Sequence, residues 1–159
     1  MALSASQKGQ IIEQLVAATC LLQSEGMLRV SRPLVDDEGV DLVITHRTTD
    51  RSVLLQIKSR FTLSKKGSYR ANVRRVALRA SNNRCLLFVY YDAKKAALGE
   101  RLWFIPTMDF ARLLKGQREA RPRYVFQSKF DSLGDMWRPY QIHLKDVGKT
   151  MLCHLENKL

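Results

Sequence analysis

Two β-rich runs, VDLVITH (40–46) and SVLLQIKSR (52–60), flank the five polar residues RTTDR, and together they read as an antiparallel hairpin. Residues two apart on a strand share a face. Leu54, Gln56 and Lys58 therefore point one way, and Val53, Leu55, Ile57 and Ser59 the other. On the preceding run Asp41, Val43 and Thr45 share a face. Pairing around RTTDR sets Asp41 across from Gln56 and Lys58 at the strand end, with the register open by a residue or two. An amide and an ammonium side by side on one strand face need partners, because burying polar groups without them is costly.

The rest of the chain supplies the layers around this hairpin. SQKGQIIEQLVAATCLLQSE (6–25) has helical spacing, with Ile11, Ile12, Leu15, Ala18, Thr19 and Leu22 inward, Ser6 as the cap and Gly26 as the stop. MLRVSRPLV reads as a first strand at a sheet edge, and DDEG (36–39) as a turn. YRANVRRVALRASNN (69–83) reads as a second helix, with Val73, Val76, Ala77 and Ala80 inward and its arginines outward. RCLLFVYY (84–91) is apolar throughout, which predicts a central strand covered on both faces. RLWFIP is a further strand, TMDFARLLKG a short helix capped by Thr107 and ended by Gly116, RPRYVFQSKF another strand, and the C-terminal stretch a helix. The expected class is a single α/β domain over residues 1–159, with a central mixed sheet flanked by helices. Residues 1–91 form its core in the order αβββαβ, and residues 92–159 an extension packed on it.

With 27 Lys plus Arg against 15 Asp plus Glu, the net charge is +12 and the pI near 10.0, which calls for a polyanionic partner. The imbalance is local: between Arg51 and Tyr91 there is no acidic residue, while ten positions are basic. A surface serving solubility alone mixes signs, so this segment points to phosphate binding. The longest apolar stretch, LVAATCLL, is far short of the roughly 20 residues that a membrane span needs, and the N-terminus lacks a signal-peptide pattern. A cytoplasmic protein with no membrane association and no nucleotide cofactor is expected. Cys20, Cys85 and Cys153 show no metal or disulfide spacing, and the scattered His46, His143 and His154 do not complement them.

Asp41, the Gln56 amide oxygen and a strand carbonyl form a set of hard oxygen donors that suits Mg²⁺ or Mn²⁺ better than zinc. Lys58 beside such an ion can orient or help deprotonate a water and offset charge building on phosphorus. These are the parts that phosphodiester hydrolysis requires. Glu13 shares a helix stripe with the small residues Gly9, Ala17 and Cys20, so it could reach the same place; taken alone, a solvated helix glutamate is the commoner case. Asp36 is a further ligand candidate, although DDEG is first a polar turn.

Glu13, then GVD ending at Asp41, then QIK with Gln56 and Lys58 resembles the PD-(D/E)xK nuclease superfamily. The opening KGQIIEQLVAATCLLQSEGMLRVSRP (8–33) is similar to the start of archaeal Holliday junction resolvases and small restriction-type nucleases. The resemblance implies a restriction endonuclease-like core, with Asp41 as the metal-bridging aspartate and Lys58 as the catalytic lysine. It also makes Glu13 the helix carboxylate and puts Gln56 where the superfamily usually has Asp or Glu. The amide brings one negative charge less to the metal; Mrr-like enzymes and PD-(D/E)xK homing endonucleases use the same Q-x-K form.

Double-stranded DNA is the expected partner. Arg70, Arg74, Arg75 and Arg79 would line one side of a duplex channel, with Lys65 and Lys66 on the loop after the active strand, Arg60 at that strand's end, and Lys8 and Arg32 opposite. The expectation is a Mg²⁺- or Mn²⁺-dependent endodeoxyribonuclease of restriction or homing type, acting as a homodimer or higher homo-oligomer. The alternatives are a structure-specific junction resolvase and an inactive DNA-binding protein that keeps the fold.

Overall fold

The computed structural model describes residues 3–35, 39–75, 77–115 and 122–156. The DDEG acids Asp36, Asp37 and Glu38 lie outside the described residues, as do Val76 and Gly116.

Helix α1 (Ala5–Gln23) opens with a capping box: Ser4 Oγ accepts from the Gln7 N–H at 3.2 Å and Gln7 Oε1 accepts from the Ser4 N–H at 2.9 Å. The cap is thus Ser4, two residues ahead of Ser6. The inward face also differs from expectation. Ile12, Val16 and Cys20 are buried, whereas Ile11, Leu15 and Leu22 are exposed, Leu22 at 79%. A helix with apolar residues on two stripes has two possible inward faces, and only packing against the sheet chooses between them.

Strands β1 (Leu28–Ser31), β2 (Leu42–His46) and β3 (Ser52–Arg60) form an antiparallel meander, with β1 at the edge as expected. The buried His46 organises the β2–β3 loop, its Nδ1 accepting from the N–H groups of Thr48 and Thr49. Strand β5 (Arg84–Asp92) runs parallel to β3, β6 (Ala97–Pro106) is antiparallel to β5, and β8 (Gln141–His143) completes a six-stranded sheet in the order β1-β2-β3-β5-β6-β8. This is the expected mixed sheet, and β5 is central. Its Cys85, Leu87 and Val89 face one cluster, and Leu86 and Phe88 the other.

The first cluster lies under α1 and the C-terminal helix α3 (Val147–Glu156), which cross at Gly148. A Cβ there would lie 2.7 Å from Gln23 Cβ and 3.2 Å from the Cys20 carbonyl, so the two helices can approach this closely only over a glycine. The second cluster is aromatic, with Phe88 stacked on Phe126 at 3.8 Å between ring centroids. Helix α2 (Thr107–Leu113) closes part of this face. Thr107 is its first helical residue rather than its cap; its hydroxyl donates to the Arg79 carbonyl at 2.8 Å and accepts from the Ser81 N–H at 3.0 Å.

The remainder of the aromatic face is covered by a strand where a helix was expected. Residues 68–74 form β4 (Ser68–Arg74), paired antiparallel with β7 (Arg123–Lys129) as a separate two-stranded ribbon. Tyr69, Ala71 and Val73 are buried while Arg70, Asn72 and Arg74 are exposed, an alternation of period two. Of the residues expected on the inner face of a helix, Ala77 is half-buried and Ala80 exposed. Backbone pairing with a segment some fifty residues further on overrides the short helical pattern, and that partner is invisible to local spacing.

Candidate active site

Leu42 pairs with Leu55, and the Asp41 N–H donates to the Leu55 carbonyl at 2.9 Å, so Asp41 continues the ladder level with Gln56. Its carboxylate Oδ2 accepts from the Ile57 N–H at 2.5 Å, which holds the group at the boundary of β2 and β3. Gln56 and Lys58 lie on the sheet face opposite Val53, Leu55 and Ile57, as their alternation requires. Asp41, Gln56 and Lys58 thus gather at one corner of the sheet. All three are half-buried, accessible but not freely solvated.

Two residues that sequence reasoning did not single out position this corner. Gly39 has φ +69°, and a Cβ on it would meet Gln56 Nε2 at 2.5 Å and Ala77 Cβ at 3.3 Å. The backbone therefore lies directly over the Gln56 amide in a conformation that glycine adopts at no steric cost. A cavity of about 10 Å³ beside it, lined by Gln56, Leu86, Arg84 and Thr107 among others, has room for about one water. The second residue is Tyr69, whose hydroxyl donates to the Lys58 carbonyl and ties β4 to β3. Burial pushes the Tyr69 phenol up from its ordinary value, against the opposing pull of the Arg60 guanidinium, so it stays protonated and able to donate. The Gly39 signal is in the sequence, as the glycine of GVD; the Tyr69 signal is the alternation of YRANVR.

Glu13 approaches from the α1 layer. It forms an ion pair with Arg32 at 3.0 Å, its side chain 21% exposed. Ser31 pairs with Val43, so Arg32, the next residue, falls at the end of the ladder where Asp41 enters β2. The Glu13 carboxylate is thus at the same end of the sheet as Asp41, but in the α1 layer, which covers the face opposite Gln56 and Lys58, and it is paired with Arg32. Among the described residues no three of His, Cys, Asp and Glu form a metal-binding group, and Gln56 is the neutral member of the proposed set.

The expected DNA contacts divide by position. Arg70, Arg74, Lys65, Lys66 and Arg79 are exposed. Arg60 Nε donates to the Arg70 carbonyl at 2.6 Å. Arg75 is half-buried, its guanidinium 4.1 Å from the Tyr124 ring centroid with Nη1 donating to the Tyr124 hydroxyl at 3.0 Å, so this arginine is engaged in holding β4 to β7. Lys8 Nζ lies 5.3 Å from the Phe61 ring centroid, at the start of α1.

The structure also brings together a thiol and an imidazole that spacing did not pair, with Cys85 Sγ 3.4 Å from His154 Nε2. Cys85 is 1% exposed, which denies it a substrate. The Cys20 thiol is pushed up to about 12 by burial.

Comparison with known proteins extends the fold alone. No protein family and no curated protein matches the sequence. Among solved structures, a bacterial homing endonuclease, I-Ssp6803I, superposes with a TM-score of 0.56 at 17% identity, over 98% of this chain and 94% of that one. The chain has a homing endonuclease-like fold, a mixed α/β architecture with a central mixed sheet flanked by helices. No helix among the described residues is long and apolar enough to cross a membrane.

Proposed function

We propose that this chain is a metal-dependent endodeoxyribonuclease of the Q-x-K form of the PD-(D/E)xK group, cutting duplex DNA at defined sites. The observation that carries this is the placement of Asp41 level with Gln56, with Lys58 two residues along the same face, at one corner of a sheet that a homing endonuclease shares. Asp41 and Gln56 fit a hard divalent ion: both offer oxygen, and one carboxylate oxygen is already oriented by the Ile57 N–H. When bound, Mg²⁺ or Mn²⁺ would acidify a water and offset charge at the phosphorus. Lys58 orients the attacking water and neutralises the developing negative charge, its backbone held by Tyr69. Glu13, whose carboxylate pairs with Arg32, would be the further carboxylate available to such an ion, and Arg32 would then be available to a DNA phosphate.

The exposed α1 stripe of Ile11, Leu15 and Leu22 supports a homo-oligomer. With Ala18 it follows the alternating four- and three-residue steps of a helix that pairs with its own copy. Two active corners, one for each DNA strand, would follow.

A second reading has an observation of its own. The Glu13–Arg32 pair and the neutral Gln56 together favour a DNA-binding protein that keeps the fold without cutting. Incubation with plasmid and with a four-way junction, in Mg²⁺ and in Mn²⁺, separates the readings. The nuclease cuts plasmid and loses cutting in Asp41→Asn, with duplex affinity retained within about tenfold because phosphate contacts lie elsewhere. The binding protein cuts neither substrate. Cutting of the junction alone would indicate resolution.

A further inference from the structure

The β4–β7 ribbon has an outer face of arginines and amides. Seven register positions pair, from Ser68 with Lys129 to Arg74 with Arg123. At about 3.3 Å per residue the ribbon is about 20 Å long. Its inner side is fixed: Tyr69 and Phe126 pack with Phe88 and Trp103 in the aromatic cluster. Its outer side carries Arg70, Asn72 and Arg74 opposite Gln127, Val125 and Arg123. No carboxylate interrupts this face.

We infer that the outer face of this ribbon enters the major groove of duplex DNA and reads base edges, which makes it the specificity element of the proposed nuclease. The inference rests on the DNA-cleaving reading above and goes further by naming how sequence is recognised. A two-stranded ribbon is one of the two shapes that the major groove admits. The residue chemistry distinguishes base reading from phosphate tracking. Phosphate oxygens only accept hydrogen bonds, so a tracking surface needs donors, and lysines or arginines suffice. Here the side-chain amides of Asn72 and Gln127 alternate with arginines, and an amide both donates and accepts. Asn and Gln match the N6 and N7 edge of adenine, Arg matches O6 and N7 of guanine, and the Val125 methyls suit the thymine methyl. Outward residues two apart are about 6.6 Å apart, about two base-pair steps, so each strand could sample successive short stretches of the groove.

The connection to the corner is direct. Tyr69 on β4 donates to the Lys58 carbonyl, and Arg60 at the end of β3 donates to the Arg70 carbonyl at 2.6 Å. A base contact by the ribbon therefore fixes where the scissile phosphate falls relative to Lys58.

The test selects duplexes from a randomised library with the full-length chain in EDTA, where binding is read without cleavage. Asn72→Ala and Gln127→Ala are selected in parallel; both residues are exposed and uncharged, so neither substitution alters the fold or the net charge. The wild type should enrich a defined sequence. Each variant should lose preference at one or two adjacent positions by about 5- to 100-fold. Affinity for a non-specific duplex should stay within about twofold, with an unchanged salt dependence. An unchanged selected sequence in both variants overturns the inference. So does a uniform loss of affinity across all sequences, or a wild type that binds duplex but enriches nothing; metal-dependent DNA cleavage survives those results, and only the last of them removes its site specificity. A wild type that binds no duplex at low salt removes the nuclease proposal as well.

Discussion

Gly39 provides a test of whether the corner is built as described, because its substitution acts on Gln56 through a known geometry. Gly39→Ala carries two penalties. At φ +69° an alanine adopts the left-handed region, at about 1–2 kcal/mol. The new methyl also falls 2.5 Å from Gln56 Nε2 and 3.3 Å from Ala77 Cβ. The Gln56 amide is the far end of a flexible side chain, so it swings away, and this clash costs position more than stability. Gly26→Ala serves as the control, since it pays the same backbone penalty at φ +79° with only the Arg47 guanidinium 4.0 Å away. For a chain of this size both variants should lose about 2–8 °C in Tm by thermal unfolding. Plasmid nicking in Mg²⁺ should separate them. Gly26→Ala should cut at the wild-type rate, and Gly39→Ala at least about tenfold more slowly, because a displacement of about 1 Å in a catalytic group can cost up to about 10²-fold. Equal cutting by the two variants, alongside a clear loss in Gln56→Ala, would refute the claim that Gly39 holds the amide in place.

Other consequences are equally open to measurement. Leu15→Glu with Leu22→Glu should convert the proposed oligomer to a monomer in light scattering, since both side chains are exposed on α1; an unchanged mass would exclude this face as the interface. Tyr69→Phe removes the hydroxyl that donates to the Lys58 carbonyl and should cost about 1–2 kcal/mol in denaturant unfolding. The same phenol gives a pH signature. Because burial raises its folded-state value above the ordinary 10.0, its contribution is fully present below about pH 10 and is lost as pH rises above it, so Tyr69→Phe should flatten the alkaline decline in stability. Gly148→Ala drives a methyl into Gln23 Cβ at 2.7 Å and should cost about 1–3 kcal/mol; an unchanged midpoint would mean that α1 and α3 are free to separate there.

What the sequence disclosed divides along physical lines. The β2–β3 hairpin, the edge strand β1 and the central β5 were legible because each depends on local alternation or continuous apolarity. The corner was partly legible, as Asp41, Gln56 and Lys58 follow from strand periodicity once a hairpin is assumed, and the register then places Asp41 level with Gln56. The ribbon was not. YRANVR carries period two, but RVALRA after it suggested a helix, and the deciding partner, β7, lies far along the chain. The inner face of α1 was misjudged for a similar reason: Ile11, Leu15 and Leu22 make an apolar stripe as good as Ile12, Val16 and Cys20, and only tertiary packing chooses between them. The engagement of Glu13 by Arg32 and of Arg75 by Tyr124 is likewise tertiary, since a charged residue in sequence does not show what it faces.

Titration of Mn²⁺ into the full chain, read by the electron paramagnetic resonance of the free ion, tests the shared-ion corner without relying on activity. The wild type should take up about one ion per chain at the site, Asp41→Asn should lose it, and Gln56→Ala and Glu13→Gln should each bind it more weakly. Uptake by Asp41→Asn equal to that of the wild type would contradict the assignment of Asp41, Gln56 and Glu13 to a metal-dependent centre.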